Sequence, residues 1–280
     1  MEEKWTAVIS SDNKWFDFNL KELAQYKDLI WLLVKRNYTT RYKQTILGPL
    51  WLLISPLFTT IIFAVVFGGL AGMSTDHVPQ LLFYMSGNII WTFFSVGVQD
   101  TSSTFVRNAD VFGKVYFPRL VTPISTIITA FMDFCIQFVL FMAIFLFYVA
   151  TGTQIHINAW VLYTPILLLQ LGLLSMGFGI IISALTTKYR DLTVLVGFGL
   201  QLWMYFTPIV YSVSVIPEKL MPLFMANPVA PIVLAFKYAF LGIGEMSWWY
   251  LGMSWIVTAI VVFVGVLLFN RVQKTFMDTV

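Results

Sequence analysis

Side chains able to do chemistry are sparse in this 280-residue sequence. Asp133 lies near the middle of the apolar run 117–150, and a carboxylate at mid-membrane depth costs about 2.5–3.5 kcal/mol. On a helix, Thr129 and Gln137, four residues to either side, share its face and can hydrogen-bond it. No Lys or Arg is expected at that depth. Asp133 is then either a polar pathway or proton site, or a protonated carboxyl that joins two helices. The phosphate-cradling pattern G-x-x-x-x-G-K-[ST] does not occur. Gly113 and Lys114 lack both the upstream Gly and the following Ser/Thr, so this chain does not hydrolyse nucleotide by that route. His77 and His156 fall in different outer loops and read as solvated residues. No His/Cys cluster offers a metal site, and no Ser-His-Asp or paired-carboxylate arrangement is legible. Cys135 is the single cysteine, so no intrachain disulfide forms.

Other polar positions read as contact surfaces. Ser175, Gly179 and Ser183 form a small-xxx-small stripe that lets another helix come close. Gly197, Gln201 and Tyr205 share a face that either lines a conduit or packs on a helix. Aromatic faces stack on sugar rings, but 26 of the aromatic residues are Phe, so composition alone does not select a carbohydrate.

Two stretches near charge carry mechanical content. In VKRNYTTRYKQTILGPLW (34–51), Lys35, Arg36, Arg41 and Lys43 crowd together, and then no charged residue occurs from 44 to 75. Residues 28–42 read as a helix with Ile30, Leu33, Val34 and Asn37 on one side and the cations largely elsewhere. Such a helix lies in the membrane interface, drawn to anionic lipid by about 1 kcal/mol per cation. In FVRNADVFGKVYFPR (105–119), Asn108 can cap a short helix whose first turn holds Asp110, and Gly113 and Pro118 break it. That element is either a docking helix for a protein groove or an interfacial loop.

These residues need a membrane scaffold. The chain is 59% hydrophobic and 11% charged, where a soluble domain carries about 25% charged residues. Six apolar runs, at 45–70, 80–104, 117–150, 158–186, 193–215 and 249–270, each exceed the roughly 20 residues that cross a bilayer as a helix. No apolar core of signal-peptide length occurs in the first 28 residues, so no cleavable targeting peptide is expected. Of 17 Lys and Arg, eight precede the first run, three follow the second, two follow the fourth and two lie after the last. Cationic segments stay cytoplasmic, which places both termini inside. Segment 214–245, with Pro217, Pro222, Pro228 and Pro231, is too interrupted to span and predicts a pair of short re-entrant or interfacial helices. The expected fold is an all-α membrane protein: a cytoplasmic segment (1–44) with an amphipathic interface helix, a six-helix transmembrane domain (45–270) and a cytoplasmic tail (271–280).

Read in order, RYKQTILGPLW, NADVFGKVYFPRLVTPIS, KYRDLTVL leading into LQLWMYFTPIVY, and NPVAPIVLAFKYAFLG resemble the permease subunit of polysaccharide-export ABC transporters. This is the ABC-2 type that exports O-antigen, with teichoic-acid and capsule exporters as relatives. WFDFNLKELAQYKDLIW (15–31) resembles the O-antigen branch, and the resemblance runs from about 15 to 269. It implies a homodimer with two separate ATPase subunits, which would bind ATP and Mg; this chain would need no cofactor and no nucleic acid. It implies a coupling helix within Arg107, Asn108, Ala109, Asp110, Val111, Phe112, Gly113 and Lys114, seated in the ATPase. It further implies an interface helix bearing Lys35, Arg36, Arg41 and Tyr42, and gate helices within 216–244. The channel for a lipid-linked glycan would be lined in part by Trp51, Phe58, Gln201 and Tyr205, in the cytoplasmic (inner) membrane. Two other classes remain open: an ion-coupled flippase using Asp133, and a membrane-bound glycan-modifying enzyme.

Overall fold

The computed structural model describes residues 20–43, 45–108, 112, 117–186 and 191–279. Among them all regular structure is helical, as a lipid-exposed backbone requires. A short turn, α1 (Leu20–Gln25), precedes α2 (Lys27–Tyr42). After Gly48, whose φ of +51° turns the chain, α3 (Trp51–Phe63) continues into a π-helical end (Ala64–Leu70). Then come α4 (Gln80–Ser102), α5 (Thr104–Arg107), α6 (Val121–Ala150), α7 (Thr164–Thr186), α8 (Leu192–Tyr205), α9 (Met221–Met225), α10 (Ala230–Leu241) and α11 (Trp248–Thr279).

Helix α4 is the hub: 78% of its apolar stretch is buried, against 17% for the α3 segment. It meets α7 through small residues. A Cβ at Gly179 would lie 2.4 Å from Thr101 Cβ, and one at Gly97 would lie 2.7 Å from Ser175 Oγ. The Ser175–Gly179–Ser183 stripe is thus a packing seam, as its spacing predicts. On the other side, α7 and α11 interlock where Gly265 abuts the Gly177 carbonyl. Gln170 Nε2 donates to Ser254 Oγ at 2.8 Å, and Ser254 Oγ donates to Pro228 O at 2.7 Å, which ties both helices to the loop before α10.

Five helical segments are long and apolar enough to cross a bilayer, or six if one sharply bent pair counts as a span. The fifth run is where the structure departs from expectation. Helix α8 stops at Tyr205 instead of continuing to 215, so its 14 residues reach only about 21 Å. Pro208, which supplies no backbone N–H, follows the break. Trp203 fixes α8 to the hub, its ring 5.2 Å from Phe94 and 5.1 Å from Phe178 between centroids. The Pro-rich segment forms the short helix pair read from the sequence, Glu218–Met225 and Ala230–Leu241, bent by 106°. Gly242, at φ +69°, ends the second arm, and a Cβ there would sit 2.6 Å from His156 O.

Lys237, in the second arm of this pair, is 2% exposed. Its Nζ donates to Pro208 O at 2.9 Å and Ile209 O at 3.1 Å, and lies 3.7 Å from the Phe83 ring centre. The lysine bolts α10 onto the chain reversal that ends α8. A cation is tolerated there because two carbonyls and a π-face replace its water.

Two hydrophobic clusters mark the two regions of the bundle. The larger fills the centre between α4, α6, α7 and α10, with a run of rings from Phe134 through Phe138 and Phe141 to Phe236 and Phe240. The smaller gathers Leu33 of α2, Phe105, Phe112, Phe117, and Phe269 of α11. It therefore brings the interface helix, the loop after α4 and the last helix to one end. Helix α11 runs without a break past 270 to Thr279.

Candidate interfacial site

Helix α2 buries Leu33 and Val34, as the pattern over 28–42 predicts, and lies along α6. In this register Arg41, in its last turn, points across to two spans. Arg41 Nη1 donates to Asp133 Oδ2 of α6, and Nη2 donates to Asp100 Oδ2 of α4. Arg107 Nη1 donates to the other Asp100 oxygen at 3.0 Å. The Asp133 and Asp100 side chains are 7% and 16% exposed, and that of Arg41 is 34% exposed. Burial works against the Arg41 cation, but the negative charges of Asp100 and Asp133 outweigh it and hold its pKa above the ordinary arginine value. Burial, with Asp133 nearby, pushes the Tyr42 phenol up to about 12, so it stays a neutral donor.

The expectation that no cation reaches Asp133 is overturned. Helix α6 has 30 residues and measures about 45 Å, well over a hydrocarbon core of about 30 Å. The middle of the run is therefore not the middle of the membrane. Through Arg41, Asp133 is level with Asp100, two residues from the end of α4. Neither partner proposed for Asp133 bonds it: Thr129 Oγ1 donates to Ser125 O at 2.8 Å, and among the described residues Gln137 Oε1 and Asp133 Oδ1 are both buried without a hydrogen-bond partner.

The ion pair separates two clefts. One, of about 570 Å³, lies between α3, α4 and α6 and is lined by Trp51, Ser55, Asn88, Thr92, Gln99 and Gln137 among others. The second, of about 520 Å³, lies between α2, α4, α5 and the first turns of α6. Arg41 and Asp100 line both. They form the wall between an amide- and aromatic-lined cleft and an arginine-lined one. Among the described residues no group of three His, Cys, Asp or Glu is placed to hold a metal.

A bundle of this kind, with a basic interface helix docked at one end, matches the ABC-2 type transporter family over residues 28–241. The chain belongs to that family. It is 28% identical over 251 residues to an O-antigen export system permease protein RfbA of Klebsiella pneumoniae, covering 90% of this chain and 94% of the relative. Against the protein of the same name from Myxococcus xanthus it is 29% identical over 224 residues, 79% of this chain and 83% of the relative. The inner membrane transport permease YadH of Escherichia coli K12 is 24% identical over 204 residues, 69% of this chain and 77% of the relative.

In this ABC-2 permease the residues singled out in sequence separate into three groups. Arg36, Arg41, Tyr42 and Trp51 border the two clefts, while Lys35 is exposed elsewhere on α2. Phe58, Gln201 and Tyr205 line neither cleft; they are exposed on α3 and α8. In the loop, Arg107 ends α5, and Asn108 Oδ1 accepts from Arg36 Nη2 at 3.1 Å while its Nδ2 donates to Thr104 O at 2.9 Å. Phe112 N donates to Asn108 O at 3.0 Å, one turn on. The Phe112 ring is 5% exposed, between Phe105 at 6.0 Å and Phe117 at 5.7 Å. Ala109, Asp110, Val111, Gly113 and Lys114 lie outside the described residues. Sequence reasoning missed Asp100. Its only signal was an acid on the last turn of an apolar run, opposite a cation-rich helix.

Proposed function

We propose that this permease is the membrane half of an ATP-driven exporter of a lipid-linked polysaccharide of O-antigen type, with teichoic acid or capsule as the related alternative cargoes. The observation that carries this reading is the similarity to an O-antigen export permease along 90% of the chain. A homodimer would bring together the exposed apolar faces of α3 and α8, which carry Phe58, Ile62, Phe198 and Tyr205, and so enclose a conduit. Two ATPase subunits, binding ATP and Mg, would act on the loop 105–119 at the end where the basic segments gather, the cytoplasmic side by their charge.

Within this chain, the contribution is mechanical. Phe112 clamps the loop between Phe105, whose ring is 4.6 Å from Phe269 of α11, and Phe117 beside α6. A push on the loop therefore moves α6 and α11 with it, because close-packed rings transmit displacement rather than absorb it. An ion-coupled flippase is less well supported, since its one candidate proton carrier, Asp133, is engaged by Arg41.

The test is deletion of the gene in its host, with surface polysaccharide and cytoplasmic lipid-linked glycan measured together. Loss of the first with accumulation of the second is expected, reversed by the wild-type gene only while the ATPase subunit is intact. Unchanged surface polysaccharide would refute the cargo. Rescue without any ATPase would refute the energy source.

A further inference from the structure

The arginine-lined cleft is not used by the proposed transport mechanism. Three guanidinium groups reach it, those of Arg36, Arg41 and Arg107. Asp100 is the carboxylate in its wall; Arg41 and Arg107 share it, and Arg41 also takes Asp133. Among the described residues Arg36 bonds only amide oxygens, Asn37 Oδ1 at 3.3 Å and Asn108 Oδ1 at 3.1 Å. Among the described residues three cations thus face two carboxylates, and the charge left over is at Arg36.

The remaining donors border one cleft. Arg36 and Arg107 each commit one terminal nitrogen to these bonds and keep the rest of the fork. Thr104, 2% exposed, lines the cleft with a buried hydroxyl that has no partner among the described residues. By contrast, the hydroxyls of Thr122, Ser125, Thr126 and Thr129 are spent on carbonyls of the same chain segment. The donor set is therefore two exposed planar guanidinium forks and one hydroxyl on the buried wall of the cleft.

This set fits a tetrahedral oxyanion better than a carboxylate. A phosphoryl group offers three oxygens, enough to take one fork from each side and leave one for the hydroxyl. Depth favours a lipid over a soluble ion. Helix α2 exposes Trp31 and Leu32, 62% and 60% accessible, beside its cations, the composition of a helix lying at headgroup level. A cleft walled by such a helix would then lie at the level of headgroup phosphates.

We propose that the cleft bounded by Arg36, Arg107 and Thr104 binds a phosphoryl group carried by a lipid at the membrane surface on which α2 lies. The site stands whether or not the cargo is a polysaccharide.

The full-length chain in uncharged maltoside micelles tests this by native mass spectrometry of retained lipid. Phosphatidic acid and phosphatidylcholine form one pair of probes, and inorganic pyrophosphate is a soluble competitor. Phosphatidic acid should be held at least tenfold more tightly than phosphatidylcholine, whose phosphate is screened by its own cation. Arg36→Gln and Arg107→Gln should each weaken it about tenfold, the loss expected for one charge-assisted contact. Thr104→Val should weaken it about threefold. Lys35→Gln, a lost cation outside the cleft, should change it less than twofold, as expected for a screened surface charge. Arg107→Lys, which keeps the pair with Asp100, should hold the thermal midpoint and still lose affinity. Equal retention of phosphatidic acid by wild type and the Arg36→Gln/Arg107→Gln double variant would overturn the site. So would a Lys35→Gln loss as large as that of Arg36→Gln, which would make the attraction diffuse surface charge. Pyrophosphate bound in the cleft with phosphatidic acid excluded would overturn the lipid source.

Discussion

Replacing Arg41 with Met tests the three-helix junction most directly. Met keeps the length and apolar stem of the side chain and deletes the guanidinium that joins Asp100 and Asp133. Removing one partner of a fully buried pair costs about 3–5 kcal/mol, because a buried charge is left unpaired. Here the two carboxylates are mostly buried, at 7% and 16% side-chain exposure, but Arg41 is one-third exposed and screened accordingly. Asp100 also keeps Arg107. The discounted cost is about 2–3 kcal/mol, which for a chain of this size lowers the thermal midpoint by about 4–6 °C. Asp133→Asn should rescue much of that loss in the Arg41→Met background, since the orphaned charge is then gone. Alone, Asp133→Asn should cost only about 1 kcal/mol, because Arg41 keeps Asp100. The assay is tryptophan-fluorescence melting of the four proteins in one detergent. A midpoint within 2 °C of wild type for Arg41→Met, or strict additivity in the double variant, would refute the junction; strict additivity is the signature of groups that do not interact.

Three further outcomes follow from contacts in the bundle. Gly179→Leu drives a side chain into Thr101, 2.4 Å from where a Cβ would stand, and should cost at least the 1–3 kcal/mol of ordinary overpacking, read as loss of monodisperse protein in size-exclusion chromatography. Lys237→Met orphans the carbonyls of Pro208 and Ile209 at about 1–3 kcal/mol each; protease should then cut the 212–220 segment before the rest of the chain. Phe112→Ala empties the space between Phe105 and Phe117, a loss of about 3–5 kcal/mol for a buried ring. With the ATPase present, nucleotide hydrolysis should persist while export falls at least tenfold, and export that tracks hydrolysis one for one would remove Phe112 from the coupling path.

The helices were legible because hydropathy alone decides them: a run of 20 or more apolar residues has no other stable form in lipid. The small-residue seam at Ser175, Gly179 and Ser183 was legible for the same local reason, since i, i+4 spacing places all three on one stripe. What the sequence hid was depth and partnership. Asp133 looked isolated because hydropathy measures the length of a run and not its position across the bilayer; α6 overshoots, and Arg41 meets the carboxylate from 92 residues away. The end of α8 was hidden because apolar residues continue through 206–215 after the helix has stopped. The seat of Lys237 was hidden for the same reason as the Asp133 partner, because Phe83 and the two carbonyls that enclose it are all distant in sequence.

The position of the Arg41 junction follows from these same constraints. An arginine with two carboxylate partners can let go of one and keep the other, so parting α2 from α6 costs one charge-assisted bond, about 1.5–3 kcal/mol, and not the whole interaction. The same arginine is the wall between the two clefts. Any path from the arginine-lined cleft to the amide-lined one therefore runs past a side chain built to move in two separate steps. A Lys at this position would carry the charge but not the fork, and one ammonium does not bridge Asp100 and Asp133 in a fixed plane. Arg41→Lys should accordingly retain most of the thermal midpoint and yet leave the two clefts in open communication. Thiol-labelling of a cysteine introduced at Ser55, in a Cys135→Ala background, reads that difference as accessibility from the side on which α2 lies. Labelling no faster in Arg41→Lys than in the Arg41 parent would show that the wall does not depend on the bridge.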